Sequence, residues 1–482
     1  MKKFISILLL ICSIFLLGGC EKESVSRAKY QLSIELNEDM TIECQSLYTF
    51  KPTSDIASIY FSLYPNAFSE NATVSPVYQS DELSAYPNGK SYGHVDIISV
   101  KIDDKEGNFE VCGVNNGTLK VGFDSVKSKG ESIQVFIEFK VTLPNVNHRM
   151  GYGDNTVNLT WFYPIACVLD NGKYYESVYY PAGDPFYSEC ADYEVKLKVP
   201  SEYVVASSMG AISTEWSGGY TTYNYARQNV RDIAFILSKK FSVLQKTING
   251  VDVKYYYFSD KNPQNSLDVA CASLNFFSDK YFKYPYSEYV VCEGDFLYGG
   301  MEYPCLSLIS SSVTDGYRDY VISHETAHQW FYGIVGVNQS EIGFFDEGLT
   351  ELSTALFMSN YTGTPYDSYI KEATNSYLSL RQALIYSGNT LKPIMARNLK
   401  DFSSEGEYVM IAYNRSELAF NEVRKILGED KFYKLIKKLF SEFAYQNATL
   451  KNFENMLEKY SKSASNAFNL YVSGEASVKI EG

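Results

Sequence analysis

The stretch Ser323–Phe331, SHETAHQWF, constrains the chain more than any other. It sets His324 and His328 four residues apart, with Glu325 between them. On an α-helix, residues four apart share a face, so both imidazoles point the same way. Apolar residues flank the stretch on both sides, VIS before it and AHQWF within it, which predicts a largely buried helix. Two imidazoles and a carboxylate buried there cost free energy unless they are paired or ligated. The competing reading, two surface histidines one turn apart, does not fit such a setting. Abundance does not explain the pairing either, because the 482 residues include only four histidines.

Neutral imidazole nitrogens suit Zn²⁺, and two of them leave room for a third protein ligand and a water. Glu325 lies on an adjacent part of the same face, near such a metal but not on it. A carboxylate there can accept a proton from an activated water. Eighteen residues separate His328 from Glu347, which stands in FFDEGLTEL. The arrangement H-E-x-x-H, eighteen residues, E resembles the gluzincin peptidases, and specifically the M1 family of aminopeptidase-N type. Asp346-Glu347-Gly348 matches that family's Asn-Glu-Gly segment, with Asp in place of Asn. The resemblance implies one Zn²⁺ per chain, held by His324, His328 and Glu347. Glu351 lies one turn beyond Glu347, where gluzincins often place a carboxylate that steadies a zinc-bound histidine. A solvated helix charge is the competing reading of Glu351.

Upstream, Gly299-Gly300-Met301-Glu302-Tyr303-Pro304 resembles the family's Gly-x-Met-Glu-Asn signature, with Tyr303 replacing Asn. Glycines let a substrate backbone approach a strand edge closely. By the resemblance, Glu302 offers its carboxylate to the α-amine of a peptide; the alternative is a plain glycine turn. Downstream, the family places a tyrosine that hydrogen-bonds the oxyanion, in Tyr-x-Lys-Gly before an apolar helix. Here Tyr413-Asn414-Arg415-Ser416 opens SELAFNEVRKILG, with Arg415 and Ser416 replacing Lys and Gly, and Tyr408 competes for the role.

Peptides with a free N-terminus are the substrates this resemblance implies. A zinc hydrolase of other specificity (an endopeptidase or an epoxide-hydrolase-like enzyme) and a catalytically silent peptide-binding lipoprotein are the alternatives. Longer members carry a second amine-binding glutamate in the β domain, and LTWFYP shows no counterpart. The chain ends after VSGEASVKIEG, which implies a short form without the C-terminal helical domain and with a more open site.

The rest of the chain reads as an α+β multidomain protein. From 29 to 243, short runs such as YQLSIEL, TIECQSLYTF, SIYFSLYP, SIQVFIEFKVTL, VNLTWFYP, YEVKLKVP and DIAFILSKKF alternate in polarity and break at turn residues. They predict an N-terminal all-β sandwich or saddle. The segment GDPFYSECADYEVKLKVP resembles the end of the family's N-terminal domain. From 244 to 482, strands VDVKYYYF and YVVCEGD give way to helical periodicity over Ser266–Phe282, Tyr317–Val335, Asp346–Met358, Tyr366–Tyr386, Ser416–Gly428, Lys431–Tyr445 and Thr449–Tyr460. This half is expected to be a thermolysin-like, mainly helical zinc peptidase domain.

The N-terminus, MKKFISILLLICSIFLLGGC, pairs a basic head with an apolar run too short for a comfortable membrane span. Its end resembles a bacterial lipobox, implying cleavage after residue 19 and lipid on Cys20, with 20–28 as a tether. The expectation is an extracytoplasmic, membrane-anchored lipoprotein. Acidic residues outnumber basic ones, 57 to 43, for a formal net charge of −14. That balance argues against nucleic acid as a partner and mildly favours cationic ligands. Cysteines at 44, 112, 167, 190, 271, 292 and 305 are scattered without a C-x-x-C pair, so neither a disulfide framework nor a cysteine metal site is expected. The sequence leaves the oligomeric state open.

Overall fold

A computed structural model describes residues 27–388 and 393–479. Cys20, the leader 1–19 and most of the 20–28 tether lie outside the described residues.

The expected order holds: a multi-sheet β half precedes a mainly helical half. Strict alternation builds the first sheet. In Lys29–Leu36, Tyr30, Leu32, Ile34 and Leu36 are buried while the residues between them are not. Successive side chains on a strand point to opposite faces, so one face enters the core. The strand pairs antiparallel with Thr41–Phe50 and parallel with Ala191–Pro200, inside an eight-stranded sheet. Two four-stranded sheets, one containing Val157–Thr160 and Ala234–Ser238, the other Ile56–Ser62 and Thr118–Lys127, and a two-stranded hairpin, Leu169–Asp170 with Lys173–Tyr174, accompany it in this half.

Several strands in this half carry no clean alternation and escape the sequence reading. His94–Ile102 has a register shift between Ile97 and Ser99, which turns the following side chains to the other face. Tyr220–Val230 is half-buried over most of its length, so no polar face marks it.

The second half opens with the five-stranded sheet Ser242–Ile248, Val251–Tyr257, Glu288–Gly294, Leu306–Ser310, Gly300–Met301, in that spatial order. Three of these strands run parallel, and helix Pro263–Lys280 makes the crossover between the first two of them. Ser242–Ile248 and Gly300–Met301 are the sheet's antiparallel edges. Helix Asp315–Ala327 packs beside the sheet and helix Phe344–Thr362 packs against that helix, followed by Tyr366–Tyr386, Ser416–Leu427, Glu429–Phe443, Leu450–Tyr460 and Lys462–Val472. Thr449 caps the helix it precedes in a reciprocal box with Asn452.

One helix expectation needs correcting. The histidine helix does not run to Val335; it ends at Ala327, with His328 at its C-cap. Beyond it the backbone turns, Gly333 N bonding to His328 O at 3.0 Å and Tyr332 taking φ +114°. Arg231, from the β half, donates to the carbonyl of Tyr332 and holds that turn.

Candidate active site

Helix Phe344–Thr362 is buried continuously from Phe344 to Met358, although Asp346, Glu347 and Glu351 lie in that span. Buried carboxylates need partners. Those of Glu347 and Glu351 stand beside the histidine helix. His324 Nε2 and His328 Nε2 are 3.1 Å apart, and Glu347 Oε2 lies 3.5 Å from the first and 3.3 Å from the second. Ligands set tetrahedrally at about 2.0–2.1 Å from one zinc ion are separated by roughly 3.3 Å, so the triangle has the dimensions of a shared coordination shell. Among the described residues, this trio is the group of three whose ligand atoms lie within 4.8 Å of one another.

The proton positions point the same way. His328 Nδ1 lies 2.9 Å from the carbonyl oxygen of Phe331, and His324 Nδ1 lies 2.9 Å from Glu351 Oε1. In the neutral tautomer with its proton on Nδ1, each histidine would turn an Nε2 lone pair toward Glu347 Oε2, a buried oxygen with no hydrogen-bond donor. A proton can bridge two such atoms; a divalent cation serves all three. Glu351 is therefore no solvated charge. It touches His324 and accepts from the Tyr320 hydroxyl.

The surrounding charge favours cations. Asp184, Glu302, Glu325, Glu347 and Glu405 line one cavity with Arg149, His324, His328, Tyr298 and Tyr413. Burial opposes charge on His324, yet Glu351 and Glu347 outweigh it and hold its pKa up to about 10. Burial likewise works against the charge on Glu347, but His328 and His324 bring it down to about 2. Burial pushes Glu325 up to about 7, against the pull of both histidines.

Gly300, on the sheet edge, faces the Glu325 side chain, and a Cβ there would collide with its carboxylate. Glycine is required for this close approach. Met301 Sδ accepts from Arg149 Nε at 3.1 Å. Glu302 is 3% exposed and accepts from Gln339 Nε2 at 3.1 Å. Burial and the neighbouring Asp184 hold its carboxyl well above the usual range. The same Gln339 amide reaches Asp346 Oδ2 at 2.9 Å, while Asp346 Oδ1 accepts from the Glu347 backbone. Gly299 stands at the end of the strand edge, its carbonyl accepting from Ser310 N at 2.9 Å.

Of the two candidate tyrosines, Tyr413 reaches the cavity. Its hydroxyl donates to Glu347 Oε1 at 2.8 Å, and its ring lies nearly parallel to His324. It sits in a π-helical turn, Val409–Arg415, a local widening frequent at functional sites. Tyr408 packs instead against Gly183 and Gly343.

Arg149, Asp184, Tyr298 and Glu405 were missed by sequence reasoning. Leu159–Pro164 do not line the cavity. The acid that the β half does contribute is Asp184, in GDPFYSEC, ion-paired to Arg149. No spacing signal marks either residue, since each is brought in by a loop.

Residues 265–472 match the model of the peptidase family M1 domain. Human endoplasmic reticulum aminopeptidase 2 is 26% identical over 279 residues, covering 54% of this chain and 28% of that protein. Mouse aminopeptidase B is 28% identical over 176 residues, covering 34% of this chain and 26% of its own length. The chain spans about a third of the length of the first curated relatives it matches. The crystal structure of an M1 zinc metallopeptidase from Deinococcus radiodurans superposes with a TM-score of 0.68 at 14% identity, covering 94% of both chains. Residues 265–472 are thus matched by a peptidase family M1 domain, and the chain as a whole shares the fold of a solved M1 zinc metallopeptidase.

Proposed function

We propose that the protein is a zinc-dependent aminopeptidase that removes N-terminal residues from peptides. The observation that carries the reading is the meeting, in one cavity, of the three-donor triangle, Glu325 and the buried carboxylate of Glu302. His324, His328 and Glu347 would hold one zinc ion per chain, with Glu351 steadying His324. When bound there, zinc supplies Lewis-acid activation of water and of the scissile carbonyl. Glu325 takes the proton of the attacking water and returns it to the leaving amine. Tyr413 presents its hydroxyl to the developing oxyanion. Glu302 receives the α-ammonium group, fixing the scissile bond one residue from the end, while Gly299, Gly300 and Met301 give the substrate backbone an edge. The names of the relatives support this reading, as does a mutant of the Deinococcus radiodurans metallopeptidase bound to a Tyr-Ser-Ala substrate.

The test is a panel of aminoacyl arylamides set against N-blocked peptides, with zinc measured per chain. Cleavage confined to free-amino substrates is expected. Cleavage of blocked substrates would replace the reading with a zinc hydrolase of other specificity, and binding without turnover with a silent peptide-binding protein.

We also infer an extracytoplasmic, lipid-anchored location through Cys20, on the strength of MKKFISILLLICSIFLLGGC. Metabolic labelling with a radioactive fatty acid should mark the wild type and not Cys20→Ala. The division into a β domain, 29–243, and a catalytic domain, 244–482, is likewise proposed; limited proteolysis near residue 243 checks it.

A further inference from the structure

The turn after the histidine helix contains a strained residue. Tyr332 has φ +114°, a region that non-glycine residues adopt at a cost of about 1–3 kcal/mol, and only where the surroundings over-determine it. Two consecutive residues of the β half, Arg231 and Asp232, supply those surroundings. Arg231 Nε donates to the Tyr332 carbonyl at 2.7 Å, and the Tyr332 hydroxyl donates to Asp232 Oδ2. Both ends of Tyr332 are thereby held from the other half of the molecule.

The anchor itself is fixed. Arg231 is 1% exposed and Asp232 is 0% exposed. Three more guanidinium hydrogens go to Ser188 O at 3.0 Å, Asn447 Oδ1 at 2.5 Å and Gln446 O at 2.6 Å. Gln446–Asn447 is the short strand that pairs with Val335–Gly336 and so closes the same turn from its far side. A Cβ at Gly336 would occupy the place of the guanidinium. None of these residues lines the cavity.

Their effect reaches it in one step. The residue before Tyr332 is Phe331, whose carbonyl oxygen lies 2.9 Å from His328 Nδ1. That carbonyl, the shorter of two contacts to His328 Nδ1 (Thr350 Oγ1 lies at 3.2 Å), orients the ring, and its direction depends on the conformation at Tyr332. We propose that Arg231 and Asp232 are positioning residues for His328: by clamping Tyr332 they aim the Phe331 carbonyl that presents the His328 Nε2 lone pair. The proposal rests on the reading of His328 as a zinc ligand. The β half then contributes to metal affinity without touching the metal.

The experiment measures zinc affinity of the full chain by competition with a chromophoric chelator. It compares wild type with Tyr332→Phe, which deletes only the clamped hydroxyl, and Arg231→Lys, which keeps the charge and loses the fork. Partners of zinc-bound histidines characteristically contribute about 10- to 100-fold in affinity, and a loss of that size is expected. At saturating zinc, KM for an arylamide should match the wild type and kcat should recover. Zinc affinity within twofold of wild type in folded variants, even with a lowered unfolding temperature, would overturn the clamp. Should Arg231→Lys fail to fold, Tyr332→Phe decides. Absence of zinc binding in the wild type would instead sink the zinc reading itself.

Discussion

Tyr413 donates its hydroxyl to Glu347 Oε1 across 2.8 Å, so one tyrosine and one carboxylate meet at the same edge of the cavity. Substrate would redirect that hydroxyl toward the oxyanion. Losing a single oxyanion donor lowers kcat by about 10²- to 10³-fold. Tyr413→Phe is expected to fall in that range while keeping its zinc. Tyr408→Phe, whose hydroxyl abuts Gly183 and Gly343, should keep kcat near the parent value. Steady-state kinetics of the two variants checks this, and an inverted ranking would move the role to Tyr408.

Glu325 is buried beside both histidines, with Oε2 unpaired. Glu325→Gln keeps the shape and removes the base. General acid–base catalysis is characteristically worth about 10²- to 10⁴-fold, so kcat should drop by that much with zinc content unchanged. Metal analysis alongside arylamide turnover tests both halves of the statement.

Glu302 is placed to receive a substrate ammonium. Such a charge-assisted contact contributes about 1.5–3 kcal/mol, or roughly 10- to 100-fold in kcat/KM. Glu302→Gln should lose that much on free-amino substrates, mainly through KM. An equal loss on N-blocked and free-amino peptides would show that Glu302 does not read the amine.

Asp232 carries a pH signature. Burial raises its pKa to about 7, against the hydrogen bond from Tyr332 and the charge of Arg231. An unfolded aspartate titrates near about 3.9, so the fold favours the protonated form. Its contribution to stability is complete below about pH 4 and is lost as the pH rises through about 7. Asp232→Asn should flatten the fall in unfolding temperature across that window. Parallel profiles for the two proteins would mean that Asp232 stays charged throughout.

The legible parts of the molecule are those written locally. His324 and His328 share one helix face, Glu347 opens the next long helix, and the three ligand atoms converge. Gly300 and Glu302 of the strand-edge run line the same cavity, whereas Gly299 and Met301 are not among its lining residues. Glu351 was ambiguous because a helix charge looks the same whether it faces water or His324. Arg149 and Asp184 were illegible because loops far apart in the chain deliver them, and Glu405 because it opens a one-turn helix, Glu405–Tyr408, too short to leave a periodic pattern. The histidine helix was likewise read too long. AHQWFYG is apolar enough to continue it, yet the helix ends at Ala327, and the turn beyond it is tied at Tyr332 to Arg231 and Asp232, distant in the chain. Helix Lys462–Val472 was missed because it buries little beyond Ala464, Ser465 and Phe468.

Crystals of the zinc-loaded protein, with diffraction recorded on both sides of the zinc absorption edge, test the central claim most directly. The account requires one anomalous peak about 2.0–2.1 Å from His324 Nε2 and His328 Nε2 and similarly close to a carboxylate oxygen of Glu347. A zinc peak bound elsewhere, or an ordered triad with no peak among its three side chains, would contradict it.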